Sequence, residues 1–193
     1  IINNEYSIAR YGDGELNIIM GGGIHFQDFN ESLRRKLIYI LQCKNENYFK
    51  VGIPIAINTT SGYNKEAATF WKKNMSTGRF HWFRLCNIKK EYINASFTWC
   101  LSDYQNKKEA AEQFKKIIKI WENKDIFIVE GEKSKLGVNN TLFSNTKSIK
   151  RIICPDINAY NYYDEIKHNI IKNLRNELVL ISLGPTATVL AYE

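Results

Sequence analysis

Ile126-Phe127-Ile128-Val129 is a continuous apolar run, the pattern of a strand buried on both faces in the interior of a parallel sheet. Before it, Lys107 to Glu122 carries Ala111, Phe114, Ile117, Ile118 and Trp121 on one stripe and predicts a helix. After it, Ser148 to Cys154 repeats the strand pattern and stops at Pro155, Tyr160 to Leu174 predicts a helix, and Leu178 to Leu183 a third buried strand. Gly184-Pro185-Thr186-Ala187 then opens another helix, with Pro185 suited to its first turn. Short apolar strands alternating with helices predict βαβ crossovers. The expected fold class is α/β, Rossmann-like, with a mainly parallel sheet and helices on both faces.

The N-terminal half is less regular. Tyr6 to Tyr11 alternates as a strand, and Leu16 to Met20 begins a helix. Gly21-Gly22-Gly23 reads as a hinge or turn, because no Lys-Ser or Lys-Thr pair follows to make it a P-loop. Asn30 is a fair N-cap for a helix to Gln42 with Leu33, Leu37, Ile40 and Leu41 on one face. Phe49 to Ile57 predicts a strand interrupted at Pro54, and Glu66 to Asn74 a helix. From Gly78 to Trp99 the aromatics Phe80, Trp82, Phe83, Tyr92, Phe97 and Trp99 read as core packing, with a stacking platform as the alternative. His81 has no acidic neighbour in sequence and reads as structural.

A chain of 193 residues, 44% hydrophobic and 13% aromatic, suits one core and one domain over 1–193. Its opening almost directly on a strand and its stop at Ala191-Tyr192-Glu193 inside a helix read as truncation at both ends. It contains neither an apolar run of about 18 residues nor a signal-peptide pattern in its first residues. The expectation is therefore a protein that does not cross the membrane, cytoplasmic or peripheral at its inner face. A net charge of +7 and a pI near 9.1 favour anionic partners, although Lys and Glu share the helices as they would on a solvated surface. Cys43, Cys86, Cys100 and Cys154 lack zinc spacing and read as buried thiols in a reducing compartment.

The chemistry is expected in Ala9-Arg10-Tyr11-Gly12-Asp13-Gly14-Glu15-Leu16. Asp13 and Glu15 fall in the connection between strand and helix, where two carboxylates could hold Mg2+ or Mn2+ with phosphates and water completing the shell. Gly12 and Gly14 would let the backbone approach a ligand, and Arg10 adds a positive charge. Gly-Asp-Gly is equally ordinary turn chemistry, and Glu15 equally suits the first turn of a helix. In parallel sheets, ligands bind beyond the carboxyl ends of the strands. Glu130-Gly131-Glu132-Lys133-Ser134-Lys135-Leu136-Gly137 and Gly184-Pro185-Thr186 occupy two further such loops. Together they could hold a phosphate-bearing ligand.

These stretches, with Phe26-Gln27, Ser148 to Pro155, Asn158-Ala159 and Leu190-Ala191-Tyr192, resemble in order the signature blocks of the GT-D-fold bacterial glycosyltransferases. The resemblance implies a metal-dependent transfer of a hexose, such as glucose, from a UDP-sugar to a glycan on a surface glycoprotein. It implies Asp13, Glu15 and Glu130 as catalytic residues, with Mn2+ or Mg2+ on Asp13 and Glu15. Donor binding falls to Arg10, Gly12, Gly14, Gln27, Gly131, Ser134, Lys135, Gly184, Pro185 and Thr186. The partners are a nucleotide-sugar donor and a glycan or glycoprotein acceptor, without nucleic acid, and a homo-oligomer is compatible. Thr98-Trp99-Cys100-Leu101 departs from the family block at that point, which motivates an alternative: a nucleotide-sugar or glycan-binding subunit without turnover. The charge alone would also permit a nucleic-acid binder, but no RRM, KH or helix-turn-helix signature is present.

Overall fold

The computed structural model describes residues 6–44 and 48–193. Strand β1 (Ser7–Arg10) pairs in parallel with β2 (Phe49–Ile53), and β2 with the two-residue β3 (Ile93–Asn94). A second sheet has β4 (Asp125–Gly131) at its centre, flanked in parallel by β5 (Ser148–Cys154) and β6 (Leu178–Ser182). The architecture is α/β with helices against parallel sheets, as the alternation predicts.

β4 shows why an apolar run makes a central strand. Ile126 and Ile128 point into one cluster with Ile117, Trp121 and Phe143, while Phe127 and Val129 point the other way, among Cys154, Ala159, Ile166 and Leu183. Period-two alternation needs both sets apolar when both faces are covered. The flanking strands differ from expectation. β5 is an edge strand with Ile149 and Ile153 exposed, and β6 is half-buried along its length.

Around the first sheet, Asn30 accepts from Leu33 N–H at 3.1 Å and starts α2 (Glu31–Gln42). Its Leu33, Leu37, Ile40 and Leu41 join Ala9, Tyr11 and Val51 in the largest core cluster. β2 ends at Pro54, after which Ile55–Ile57 forms a 3-10 turn. α1 (Asp13–Ile19) begins earlier than predicted, so Asp13 and Glu15 lie within its first turn and not in the connection before it.

Helix α3 (Lys65–Leu85) runs well past the predicted Asn74. Of the aromatic crowd that follows, Trp82 is fully buried, whereas Phe80, Phe83 and Trp99 are exposed. Core packing thus describes only part of that stretch. Its Thr98-Trp99-Cys100-Leu101 segment passes from a 3-10 turn (Ala95–Trp99) into α4 (Cys100–Asp103), with Cys100 buried. α5 (Lys107–Ile118) ends before Trp121. A 3-10 turn (Ala159–Tyr162) leads into α6 (Tyr163–Asn173), and α7 (Pro185–Leu190) has Pro185 in its first turn as expected. Cys43 and Cys86 are half-buried, and all four cysteines are free thiols.

Candidate active site

In a parallel sheet every strand delivers its carboxyl end to the same rim. On that rim Arg10, the last residue of β1, donates from Nε to the Ala95 carbonyl at 2.9 Å, just beyond the end of β3. Thr188 of α7 reaches back to the same place, its Oγ1 lying 3.1 Å from the Arg10 carbonyl and 3.4 Å from Glu15 Oε1. The turn after β6 and the Asp-x-Glu stretch after β1 therefore share one surface.

The glutamate of that stretch is a capping residue. Gly12 N–H donates to Glu15 Oε2 at 2.7 Å, the return half of a capping box. Burial raises the proton affinity of Glu15 above that of an ordinary carboxylate, against the Gly12 and Glu15 N–H groups and the Arg10 charge that lower it. Asp13, at the helix start, is exposed and borders a cavity of about 410 Å³ between α1 and α3. Side chains two apart on a helix do not face each other. The open carboxylate is thus that of Asp13, while Glu15 holds the turn.

Among the described residues no three His, Cys, Asp or Glu side chains gather to hold a metal. The donor set fits a cation only with Asp13 as direct ligand and Glu15 behind it, the remaining positions falling to phosphate oxygens and water. Neither glycine of the motif uses a left-handed conformation. Gly12 is extended and its N–H is committed to Glu15, so it is not free for a donor phosphate. Gly14 sits inside the first turn of α1.

Glu130 is only 1% exposed. One oxygen is paired with Arg151 Nη1, and the other accepts from Leu136 N–H at 2.6 Å. Arg151 also donates from Nη2 to the Leu136 carbonyl at 2.8 Å. The pair ties down the loop after β4 and leaves both Glu130 oxygens engaged. Its geometry is that of a positioning residue, unlike the catalytic role expected from sequence.

That loop reaches the rim by other contacts. Ser134 and Ser182 hydroxyls meet at 2.9 Å, joining it to the end of β6. Lys133 pairs with Asp156 at 2.7 Å, and Lys135 is exposed with φ of 45°. At Gly131 a Cβ would come within 3.1 Å of Asp156 Cα, so only glycine allows this approach without a shift. Gly184 has φ of 53°, and a Cβ there would lie 2.4 Å from the Phe26 ring.

Three of the expected donor contacts face inward. Gln27 is buried, accepting from Tyr160 N–H at 3.2 Å and donating to the Asp28 carbonyl at 3.1 Å. Pro185 and Thr186 are buried too, and the Thr186 hydroxyl finds no hydrogen-bond partner among the described residues. They shape the turn beneath the rim, whereas Arg10, Asp13, Ser134 and Lys135 are exposed. Sequence reasoning missed Thr188, Arg151 and Asn158, whose Oδ1 accepts from Asp28 N–H at 2.7 Å. Arg151 and Asn158 stand in motif stretches without any sign of a partner, and Thr188 follows Thr186 at spacing two.

The chain as a whole matches known proteins. The family described as "Glycosyltransferase GT-D fold" matches residues 8–193. Glycosyltransferase GlyD of Streptococcus pneumoniae serotype 4 is 36% identical over 200 residues, covering 100% of this chain and 24% of that protein. The probable glycosyl transferase Gly of Streptococcus gordonii is 33% identical over 195 residues, covering 97% and 27% respectively. The chain thus spans about a quarter of the length of these curated relatives. A solved domain of unknown function 1792, described as having a distinct glycosyltransferase fold, matches with TM-score 0.93 and 36% identity over 98% of this chain and 68% of that one. A new glycosyltransferase of the same domain type from Streptococcus sanguinis matches with TM-score 0.92 and 34% identity, over 97% and 70%. With its parallel sheets, its Asp-x-Glu turn on the rim and a family match over nearly its whole length, the chain belongs to the GT-D-fold glycosyltransferases.

Proposed function

We propose that the protein transfers a hexose, glucose in our reading, from a UDP-sugar to a glycan carried by a glycoprotein, with Mn2+ or Mg2+ held through Asp13. The observation that carries this reading is the contact of Thr188 with both the Arg10 carbonyl and Glu15. It brings the only Asp-x-Glu stretch in the chain against the turn after β6, on the rim where parallel sheets take their ligands.

Asp13 offers the carboxylate for the cation, and Arg10 and Lys135 offer positive charge to the diphosphate. Glu15 fixes the backbone from which Asp13 projects. Asp13 would hold a divalent cation, which would supply positive charge against the departing nucleoside diphosphate. The acceptor oxygen bonds to the anomeric carbon as the bond to diphosphate breaks, and the acceptor proton passes to a base. No helix among the described residues is long and apolar enough to cross a membrane. This accords with our placement of the reaction in the cytoplasm or at the inner membrane face.

The test is release of UDP from UDP-glucose with and without Mn2+. Asp13→Ala should abolish the metal-stimulated rate while leaving the melting temperature within about 1 °C, as expected for an exposed surface position. Undiminished stimulation in that variant would overturn the assignment.

A further inference from the structure

The cavity between α1 and α3 has a chemistry different from that of the rim it adjoins. The two helices meet where Gly78 faces Leu16; a Cβ on Gly78 would lie 3.2 Å from Leu16 Cδ2. Beside this crossing the space opens to about 410 Å³, within the size range of small-ligand sites. Trp71 and Trp82 line it, and both are largely buried. The Trp82 indole N–H, inside a residue only 1% exposed, has no hydrogen-bond partner among the described residues. Buried donors are normally paired; this one is closed off from the cavity, to which Trp82 presents only part of its ring.

Asn17, Asn74, Thr77, Asp13 and His81 make up the polar part of the lining. Asn17 spends its amide N–H on the Gly23 carbonyl at 2.5 Å, and Asn74 on the Phe70 carbonyl at 3.0 Å. Each thereby keeps its side-chain oxygen as an acceptor. The cavity offers acceptors on Asn17, Asn74 and Asp13 together with the Thr77 hydroxyl, the His81 imidazole and apolar walls. None of the described residues lining it is Lys or Arg.

A diphosphate carries only acceptors and negative charge, and beyond the cation-binding Asp13 this lining offers it no Lys or Arg. A sugar ring carries hydroxyls, which donate and accept, and C–H faces that pack on aromatic rings. We infer that this cavity is the subsite of the acceptor sugar, a neutral pyranose, adjoining the diphosphate site at Asp13; the inference rests on the glycosyl-transfer reading above. In it, Asn74 is the specificity-determining contact, and Trp82 is part of the wall.

The chain has four tryptophans, so indole N–H signals in a 15N-labelled sample can be followed individually, with Trp82→Phe identifying its own. With UDP and Mn2+ present, titration with methyl glycosides of glucose, galactose and N-acetylglucosamine should shift the Trp82 signal saturably for at least one of them. Asn74→Ala, at a partly exposed position, should weaken that binding about five-fold, the loss of one hydrogen bond. No shift with any glycoside overturns the inference. So does a shift produced by UDP alone, or one produced by UDP-glucose but by none of the glycosides, which would give the space to the donor. UDP release by the unmodified protein is measured in parallel. Its absence would count against glycosyl transfer itself, while the titration would still decide what the cavity binds.

Discussion

Thr188 Oγ1 lies 3.1 Å from the Arg10 carbonyl, a contact between residues 178 positions apart. It joins α7 to the end of β1 at the point where Glu15 also lies. Thr188→Val keeps the shape and removes the hydroxyl. It should cost about 1 kcal/mol of stability and raise the KM for UDP-glucose several-fold, because the turn after β6 loses its tie to the Asp13 side of the rim. Thermal melts and initial rates at varied donor concentration read the two effects separately.

Glu15 should show a trade between stability and activity. Burial raises its pKa from 4.5, so the folded state holds the proton more firmly than the unfolded one. As pH climbs through 4.5 towards the folded pKa, ionisation penalises the folded state, and above it the penalty is fully present. Glu15→Gln keeps an oxygen for Gly12 N–H and removes the charge. Without metal at pH 7 the variant should melt a few degrees higher, at about 2–4 °C per kcal/mol for a domain of this size. The difference should vanish near pH 4, and turnover should fall because Glu15 no longer supports the cation. A lower melting temperature at pH 7 would contradict this account.

The Glu130–Arg151 pair predicts a different pattern. Arg151→Met leaves a carboxylate that is 1% exposed without its counter-charge and should cost about 3 kcal/mol. Glu130→Leu combined with Arg151→Met should recover much of that, since an apolar pair replaces an orphaned charge. Urea denaturation of the singles and the double measures the coupling. Glu130→Gln should lose stability and turnover together. Loss of turnover alone would return Glu130 to the role of acceptor base.

Acid sensitivity should centre on Glu193, whose carboxylate bridges Lys36 of α2 at 2.6 Å and Lys167 of α6 at 2.5 Å. Burial pushes its pKa up, but hydrogen bonds from Lys167 and Lys36 outweigh this and bring it from 4.5 down to about 2. Because the folded pKa is the lower one, the contribution is whole above pH 4.5 and disappears as pH falls towards 2. Glu193→Gln should lose about 1 kcal/mol at pH 7 and match the unaltered protein near pH 2. Urea melts across that range check it.

The legible parts of the sequence were those in which local pattern and tertiary demand agree. α2 has its cap at Asn30 and a clean apolar stripe, and β4 is apolar on both faces because both are covered. The second half of α3 was hidden because Gly78 interrupts the helical pattern and Phe80 and Phe83 stay in water. The glycine is there for the close approach to Leu16, a partner that no window of sequence displays. In the site, the rule for a parallel sheet points to the ends of the strands, but β1 and β6 lie in separate sheets, and it is the Thr188 contact that joins their turns. The burial of Gln27 and Thr186 and the pairing of Glu130 were not foreseeable, because each depends on a partner or neighbour from another strand or loop. His81, which looked isolated in sequence, borders the same cavity as Asp13.

Every strand pairing in both sheets is parallel, so each joins residues separated by a long excursion of chain. Such contacts cannot form until the intervening segment has been made, and loop closure delays them further. The contact of Thr188 with the Arg10 carbonyl spans 178 positions and forms only after α7 has been made. Refolding from denaturant should accordingly be slow, and recovery of the donor site should lag behind the first appearance of helical signal.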